Sequence, residues 1–278
     1  MEARAYCPGS ISLIFRVWQD RNILKTGSTG VGFTVNRGVV ATVSPSKKTR
    51  IFWNENSIHF PTVASVINKL TRKPIQVNLV SPLPLGTGFG MSGASALATA
   101  YALNELLNLN CRPEELAILC HEAEIQNKTG LGNVGTQITG GFLLKEKPGL
   151  PVSFIRFPFE GQKVYSVVFD SLRTSTILGK EKNIHVINKA GDEALLEIKK
   201  RKKMSLEDFF IIGKKFALES GLVTDALVKK TIDLVEEKGG HATMHMVGHA
   251  VVSTTKKGLQ SFKYFFELKV TRDTVHLL

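Results

Sequence analysis

The sequence predicts a mixed α and β fold, and three observations predict it. Short β-branched runs alternate with longer stretches of helical composition along all 278 residues. No internal repeat or low-complexity tract interrupts that alternation. The length suits one large domain or two domains sharing a cleft, because a domain typically holds about 100–150 residues.

Ile11–Val17 and Gly38–Val43 are apolar and β-branched and read as strands. Between them lies a glycine segment, Gly27-Ser28-Thr29-Gly30-Val31-Gly32. Arg50–Trp53 and Ile58–Phe60 alternate polar with apolar and read as strands around a turn at Asn54–Ser57. Val63–Leu70 reads as a short helix and Gln76–Val80 as a strand, closed by Ser81-Pro82-Leu83-Pro84. The period then changes. Ala94–Leu107 has the Ala/Leu composition of a buried helix. A second helix runs from Pro113 to about Asn127, with Pro113 in its first turn and Glu114 and Glu115 complementing its positive end. A glycine-rich corner, Thr129-Gly130-Leu131-Gly132-Asn133-Val134-Gly135, leads to a strand over Ile138–Glu146 and a turn at Pro148–Pro151. Val164–Asp170 is a strand that opens a second domain. Ile184–Lys200, Ser205–Glu219 and Thr224–Lys238 read as helices, the second begun by Ser205 and Asp208 at capping-box spacing. His241–Thr254 and Tyr264–Val270 close the chain as strands.

Apolar residues make up 43% and charged residues 22%, which excludes disorder, collagen and coiled coil as whole-chain readings. Cys7, Cys111 and Cys120 are too few for a disulfide framework and lack zinc-type C-x-x-C spacing. They are expected as reduced thiols of a cytoplasmic protein. Glu2 and Arg4 do not fit a secretory signal, and no run approaches the roughly 18–20 apolar residues of a membrane span. The net charge, 36 Lys+Arg less 24 Asp+Glu, is +12. It points to an anionic partner: nucleic acid, an acidic surface or a phosphorylated small molecule.

The strongest chemical signal is Leu83–Ala96, LPLGTGFGMSGASA. Gly86, Gly88 and Gly90 alternate, Ser92, Gly93 and Ala94 follow, and a helix begins. Glycines let the backbone approach a ligand and take positive φ, and the free N–H groups of a helix start form an anion site. Ser92 can offer its hydroxyl to a metal or a phosphate oxygen. The pattern is a phosphate cradle. It is not G-x-x-x-x-G-K-[ST], because no Lys precedes a Ser or Thr. Gly88-x-Gly90-x-x-Gly93 matches the dinucleotide fingerprint in form. That motif needs an acidic residue about 20 residues on, at the end of a second strand; here a second helix follows, and Glu105 lies inside the first. A glycine turn serving helix packing alone is the plain alternative. His121 and Glu124, three apart on the second predicted helix, share a face. Their spacing fits a solvated face as well as a metal or substrate site.

The glycine segment resembles the second motif of the GHMP kinases, P-x-x-x-G-L-G-S-S-A. Pro84 takes the proline position, Gly88-Phe89-Gly90 the G-L-G and Ser92 the second, metal-facing serine. The fuller form PLGTGFGMSGASAL is similar to one branch, the archaeal pantoate kinases. So are Cys7-Pro8-Gly9, GSTGVGF from Gly27, HEAE from His121 and TGLGN from Thr129. The resemblance covers the whole chain, most strongly to about residue 150. It implies an α+β, two-domain fold: a ribosomal protein S5 domain 2-like, ATP-binding N-terminal lobe (1–159) and a ferredoxin-like α/β C-terminal lobe (160–278), with the site between them. It also implies in-line transfer of the γ-phosphoryl group of ATP to pantoate, catalysed chiefly by positioning and charge stabilisation. On this resemblance Pro84, Gly86, Gly88, Gly90, Ser92, Gly93 and Ala94 hold the nucleotide, and Ser92 with Glu124 holds Mg²⁺. Ser28, His121, Lys145 and Thr174 hold the acceptor, with His121 at its carboxylate. A cytoplasmic homodimer without membrane or nucleic-acid partners is the family-level expectation.

Four positions depart from the pattern. Asn133 stands where the branch places an Asp as base for the acceptor hydroxyl. An amide cannot take that proton at neutral pH. A general base contributes about 10²–10⁴-fold, and the proton can instead leave late onto the phosphate. Ser10 stands where Lys or His usually follows Pro-Gly. Lys145 replaces an Arg, keeping charge but losing bidentate geometry. The third motif, Thr243-Met244-His245-Met246-Val247-Gly248, has one glycine. Other acceptors, homoserine or a mevalonate-like acid, stay open, as does a catalytically impaired nucleotide-binding relative. His241, His245 and His249 recur every four residues in strand-like alternation without H-E-x-x-H, so no zinc helix is expected. Lys199-Lys200-Arg201-Lys202-Lys203 reads as a solvated helix end complementing the dipole, since no aromatic residues interleave with it.

Overall fold

The computed structural model describes residues 2–170 and 181–278. Two long strands, β1 (Ala3–Trp18) and β2 (Gly27–Pro45), pair antiparallel and form the spine of the molecule. Their register shifts at Pro8/Gly9 and again at Ser12/Ile14. Pro8 has no N–H to give the ladder and sits at the first irregularity. The glycine segment Gly27–Gly32 lies within β2 and is not a loop. β2 changes partner along its length. Its second half pairs with β5 (Ile75–Val80), and its first half pairs with β6 (Phe142–Lys145). The chain therefore brings Ser28, at one end of β2, next to the element that carries Lys145.

β3 (Arg50–Trp53) runs parallel to β5 and turns back as β4 (Asn56–Ser57). Asn54 and Glu55 take φ of 44° and 70° in that turn, the backbone a two-residue hairpin requires. The strand expected at Ile58–Phe60 is absent. The short hairpin ends at Ser57, and the chain leads instead into α1 (Pro61–Leu70), with Pro61 at its first position.

α2 (Met91–Leu107) packs on β1 and β2, and α1 and α3 (Pro113–Gln126) pack on α2 and on each other. α2 is apolar on nearly every side because it lies between the sheet and the other two helices, with Ala94, Leu97, Ala100 and Leu103 fully buried. It ends at Asn108, in the left-handed region at φ 51°. The glycine corner opens a helix that the sequence reading missed, α4 (Asn133–Thr139), ended at Gly140 with φ 68°. β6 accordingly covers only the last part of the strand expected over Ile138–Glu146. β7 (Phe154–Phe157), also missed, pairs β6 at an exposed edge, where no buried face imposes alternation.

The C-terminal lobe is an antiparallel sheet of β8 (Lys163–Asp170), β9 (Ala242–Met244), β10 (His249–Ser253) and β11 (Phe265–Lys269), in the order β11-β8-β10-β9. The single strand expected over His241–Thr254 is broken. His245–Gly248 forms a tight turn, with Val247 at φ 64° and a 3.0 Å bond from Gly248 N to the His245 carbonyl. Three helices accompany this sheet, α5 (Glu181–Lys200), α6 (Leu206–Glu219) and α7 (Ala226–Glu237): α6 and α7 pack on its strands, and α5 and α6 reach β1. The capping box at α6 is present. Ser205 Oγ accepts from Asp208 N at 3.2 Å, and Asp208 accepts from Ser205 N at 2.8 Å. In the basic run, Arg201 pairs with Glu197 at 2.6 Å and Asp208 at 2.7 Å, tying α5 to α6.

Further features join the lobes. β12 (His276–Leu277) returns to pair with β1. Phe209 of α6 packs on Phe142 of β6 and Phe157 of β7, with ring centroids 4.9 and 4.7 Å apart. No described helix is long and apolar enough to cross a membrane.

Candidate active site

The loop from Leu83 to Met91 takes the left-handed region at every second residue: Gly86 (φ 74°), Gly88 (φ 85°) and Gly90 (φ 63°). This conformation explains the alternating glycines. Space adds to it at Gly88, where a Cβ would lie 2.6 Å from His245 Cβ. Ser10 N donates to the Phe89 carbonyl at 2.9 Å and ties the loop to β1, and Thr87 Oγ1 donates to the Pro84 carbonyl at 2.9 Å within it. Gly90 occupies the cap position of α2 and brings no side-chain cap. The first-turn amides of α2 are left for a ligand.

A cavity of about 470 Å³ opens in front of this loop. Gly88, Gly90 and Ser92 form one wall, and the glycine corner from Thr129 to Asn133 faces them. Ser12 and Ser28 from the spine strands lie at one end, and Ile58, Phe60 and Leu85 make an apolar end. Met246 and Val247 reach in from the C-terminal lobe.

Below Ser92 four side chains form a chain of oxygen contacts. Ser92 Oγ donates to Thr62 Oγ1 at 3.1 Å, Thr62 Oγ1 lies 2.8 Å from Thr129 Oγ1, and Thr129 Oγ1 donates to Glu124 Oε1 at 3.5 Å. The hydroxyl hydrogens can all point toward the carboxylate, which only accepts when ionised. Glu124 is 1% exposed. Burial pushes its carboxyl up to about 7, against the pull of the Ser92 and Thr129 hydroxyls and the Lys145 ammonium. The backbone has to be bare around it: a Cβ on Gly130 would overlap the carboxylate. This donor set is entirely oxygen, which suits Mg²⁺ and not a soft metal. Among the described residues no group of three His, Cys, Asp or Glu could hold a metal. Mg²⁺ needs no such cage when substrate phosphates complete its coordination. The residues fit that ion.

Lys145 lies behind the facing wall. Its Nζ donates to the Gly132 carbonyl at 2.8 Å and sits 3.5 Å from Ser28 Oγ. Burial lowers its ammonium to about 8, with the Glu124 charge opposing. His121 is not in the cavity wall. Its Nε2 is 3.0 Å from the Thr26 carbonyl, so that nitrogen carries the hydrogen and donates. Burial holds the imidazole below its ordinary value, and the carbonyl it meets lies two residues before Ser28. Asn133 opens α4 and lines the cavity opposite Gly90. Pro84 stays beside the loop and accepts from Thr87. Gly93 and Ala94 continue into α2. Thr174 lies outside the described residues.

Thr62, Gln137 and His245 were not singled out as site residues from sequence. Thr62 follows Pro61 at a helix start and resembles any first-turn residue. Gln137 lies in the tail of the glycine corner, where no helix was expected. His245 sits in the unexpected turn, its Nε2 2.8 Å from Ser166 Oγ and its ring edge-on to Phe89.

Residues 59–141, which carry the glycine loop, Glu124 and the glycine corner, match the family model described as the GHMP kinases N-terminal domain, and the chain belongs to the GHMP kinases. Within that family its likeness to pantoate kinases runs nearly full length. It is 32% identical over 257 residues to the pantoate kinase of Methanocaldococcus jannaschii, covering 91% of this chain and 92% of that one. It is 27% identical over 274 residues to the pantoate kinase of Methanospirillum hungatei, covering 95% and 91%. A solved structure described as a phosphotransferase related to the CoA biosynthesis pathway shares the fold, with a TM-score of 0.86 at 24% identity, covering 100% and 99%.

Proposed function

We propose that this chain transfers the γ-phosphoryl group of ATP to the hydroxyl of pantoate, giving 4-phosphopantoate. One observation carries the reading: across a single cavity, a loop shaped for phosphate faces a corner backed by a buried cation. Nearly full-length similarity to pantoate kinases supports the acceptor.

The geometry supports a role for each residue. The left-handed glycines and the start of α2 take the triphosphate, and the apolar end at Ile58, Phe60 and Leu85 suits the base. Ser92 and Glu124 would hold Mg²⁺, which when bound neutralises charge on the phosphate oxygens. Lys145 and Ser28 set the acceptor end. A lone ammonium favours an acceptor bearing a carboxylate alone. Homoserine brings its own ammonium and is disfavoured, whereas a mevalonate-like acid is not. His121 acts through the Thr26 carbonyl, just before the strand that carries Ser28. Asn133 stands where the hydroxyl proton must leave, and it leaves onto the transferred phosphate instead. Thr174 completes the acceptor set by resemblance. The expected setting is the cytoplasm, with the chain as a homodimer.

The test is ADP release by the purified chain with pantoate, homoserine and mevalonate. Turnover with pantoate well above the other two is expected. A preference for homoserine, or ATP binding without ADP release on any acceptor, would overturn the reading.

A further inference from the structure

Gln137 of α4 is fully buried, and the chemistry above does not use it. One end of its carboxamide lies 2.9 Å from the Gly90 carbonyl oxygen. A carbonyl only accepts, so that end is the NH₂ group and the other end is Oε1. Oε1 has no hydrogen-bond partner among the described residues. It is aimed at the first turn of α2: a Cβ on Gly93 would lie 2.8 Å from Gln137 Oε1 and 3.0 Å from Glu124 Oε2.

The Gly90 carbonyl already accepts from Ala94 N at 3.1 Å, as the first bond of α2. Gln137 adds a second donor from a different element. That carbonyl shares one planar peptide unit with the N–H of Met91. Fixing the oxygen therefore fixes the direction of the first amide that α2 offers to an anion. The residue that does so stands four positions beyond Asn133, on the helix that forms the facing wall.

We propose that Gln137 is a positioning residue for the nucleotide: it holds the Gly90–Met91 peptide plane in its phosphate-facing orientation. The inference rests on the nucleotide reading of the cavity, and the test separates the two.

The test is calorimetric titration of the full chain with ATP and Mg²⁺, alongside steady-state kinetics for ATP and pantoate. Wild type should bind, and its failure to bind would overturn the nucleotide reading itself. Gln137→Met keeps the length and loses the donor. One hydrogen bond corresponds to a loss of about tenfold in ATP affinity. The KM for pantoate should stay within about twofold. Gln137→Glu should bind ATP weakly near pH 8 and recover relative to wild type near pH 5.5, where a protonated carboxyl again donates to the Gly90 carbonyl. Wild-type ATP affinity in Gln137→Met, with only a lowered Tm, would overturn the proposal. So would equal losses for both substrates. If Gln137→Met does not fold, the pH pair of Gln137→Glu decides: no recovery at the lower pH overturns it.

Discussion

Glu124 shows at one residue how this site trades stability for chemistry. A carboxyl held up to about 7 by burial is a charge that the folded chain accommodates at a cost at neutral pH. Its folded value lies above the ordinary 4.5, so the folded state binds more protons than the unfolded state between those two values. The associated stability is present below the lower value and is lost as pH rises through the upper one. Glu124→Gln should therefore melt higher than wild type at about pH 8, and that gain should vanish near about pH 4. Turnover should fall by about 100-fold or more, because the proposed Mg²⁺ site loses its one carboxylate. Melting curves at the two pH values and a rate measurement check both halves. A variant equally stable at both pH values, or one that retains its rate, would count against the assignment. Asn133 poses the opposite question. If a base is simply missing, Asn133→Asp should raise kcat at neutral pH, within the about 10²-fold lower bound usual for general-base catalysis. An unchanged kcat would mean that the phosphate takes the proton unaided.

At the scale of elements, the phosphate loop depends on what lies behind it as much as on its own glycines. Gly88→Ala puts a Cβ at φ 85° and against His245. The loop must move to accept it. The expected result is a rise of about tenfold or more in KM for ATP with little change in the KM for the acceptor, measured by varying each substrate in turn. Much of this was legible in the sequence. The alternating glycines, the Ala/Leu run of α2, Pro113 with its two glutamates and the Ser205–Asp208 cap are local signals, and each formed where the local chemistry placed it. What failed to show was non-local. α4 is short and starts at glycines. β7 is an exposed edge strand. The break at His245–Gly248 answers to the loop it rests on, not to its own neighbours in sequence. The link from Ser92 to Glu124 through Thr62 and Thr129 could not be read from spacing either, since two of its four members are ordinary threonines on separate elements.

For the whole molecule, the net charge of +12 carries less meaning than it first suggests. Arg201 is spent on tying two helices together, whereas Lys145 is buried behind the cavity wall, against Ser28 and the Gly132 carbonyl. What organises the molecule is contact between the lobes. The turn at His245–Gly248 belongs to the C-terminal sheet, yet it is bonded through Met246 N to the Ser12 carbonyl of β1 at 3.2 Å. A Cβ on Gly248 would lie 2.6 Å from Gly88 N. The two segments are in close backbone contact. In hydrogen exchange, the amides of residues 85–90 and 245–248 should thus open as one cooperative unit, with matching rates, although they are far apart in sequence. Added nucleotide should slow both sets together, including the amides of the turn that make no contact with phosphate. Unequal protection of the two segments would show that they open independently. A loop clasped in this way gives the far lobe a direct record of whether the nucleotide place is filled, carried by shared opening and not by any movement of the lobes.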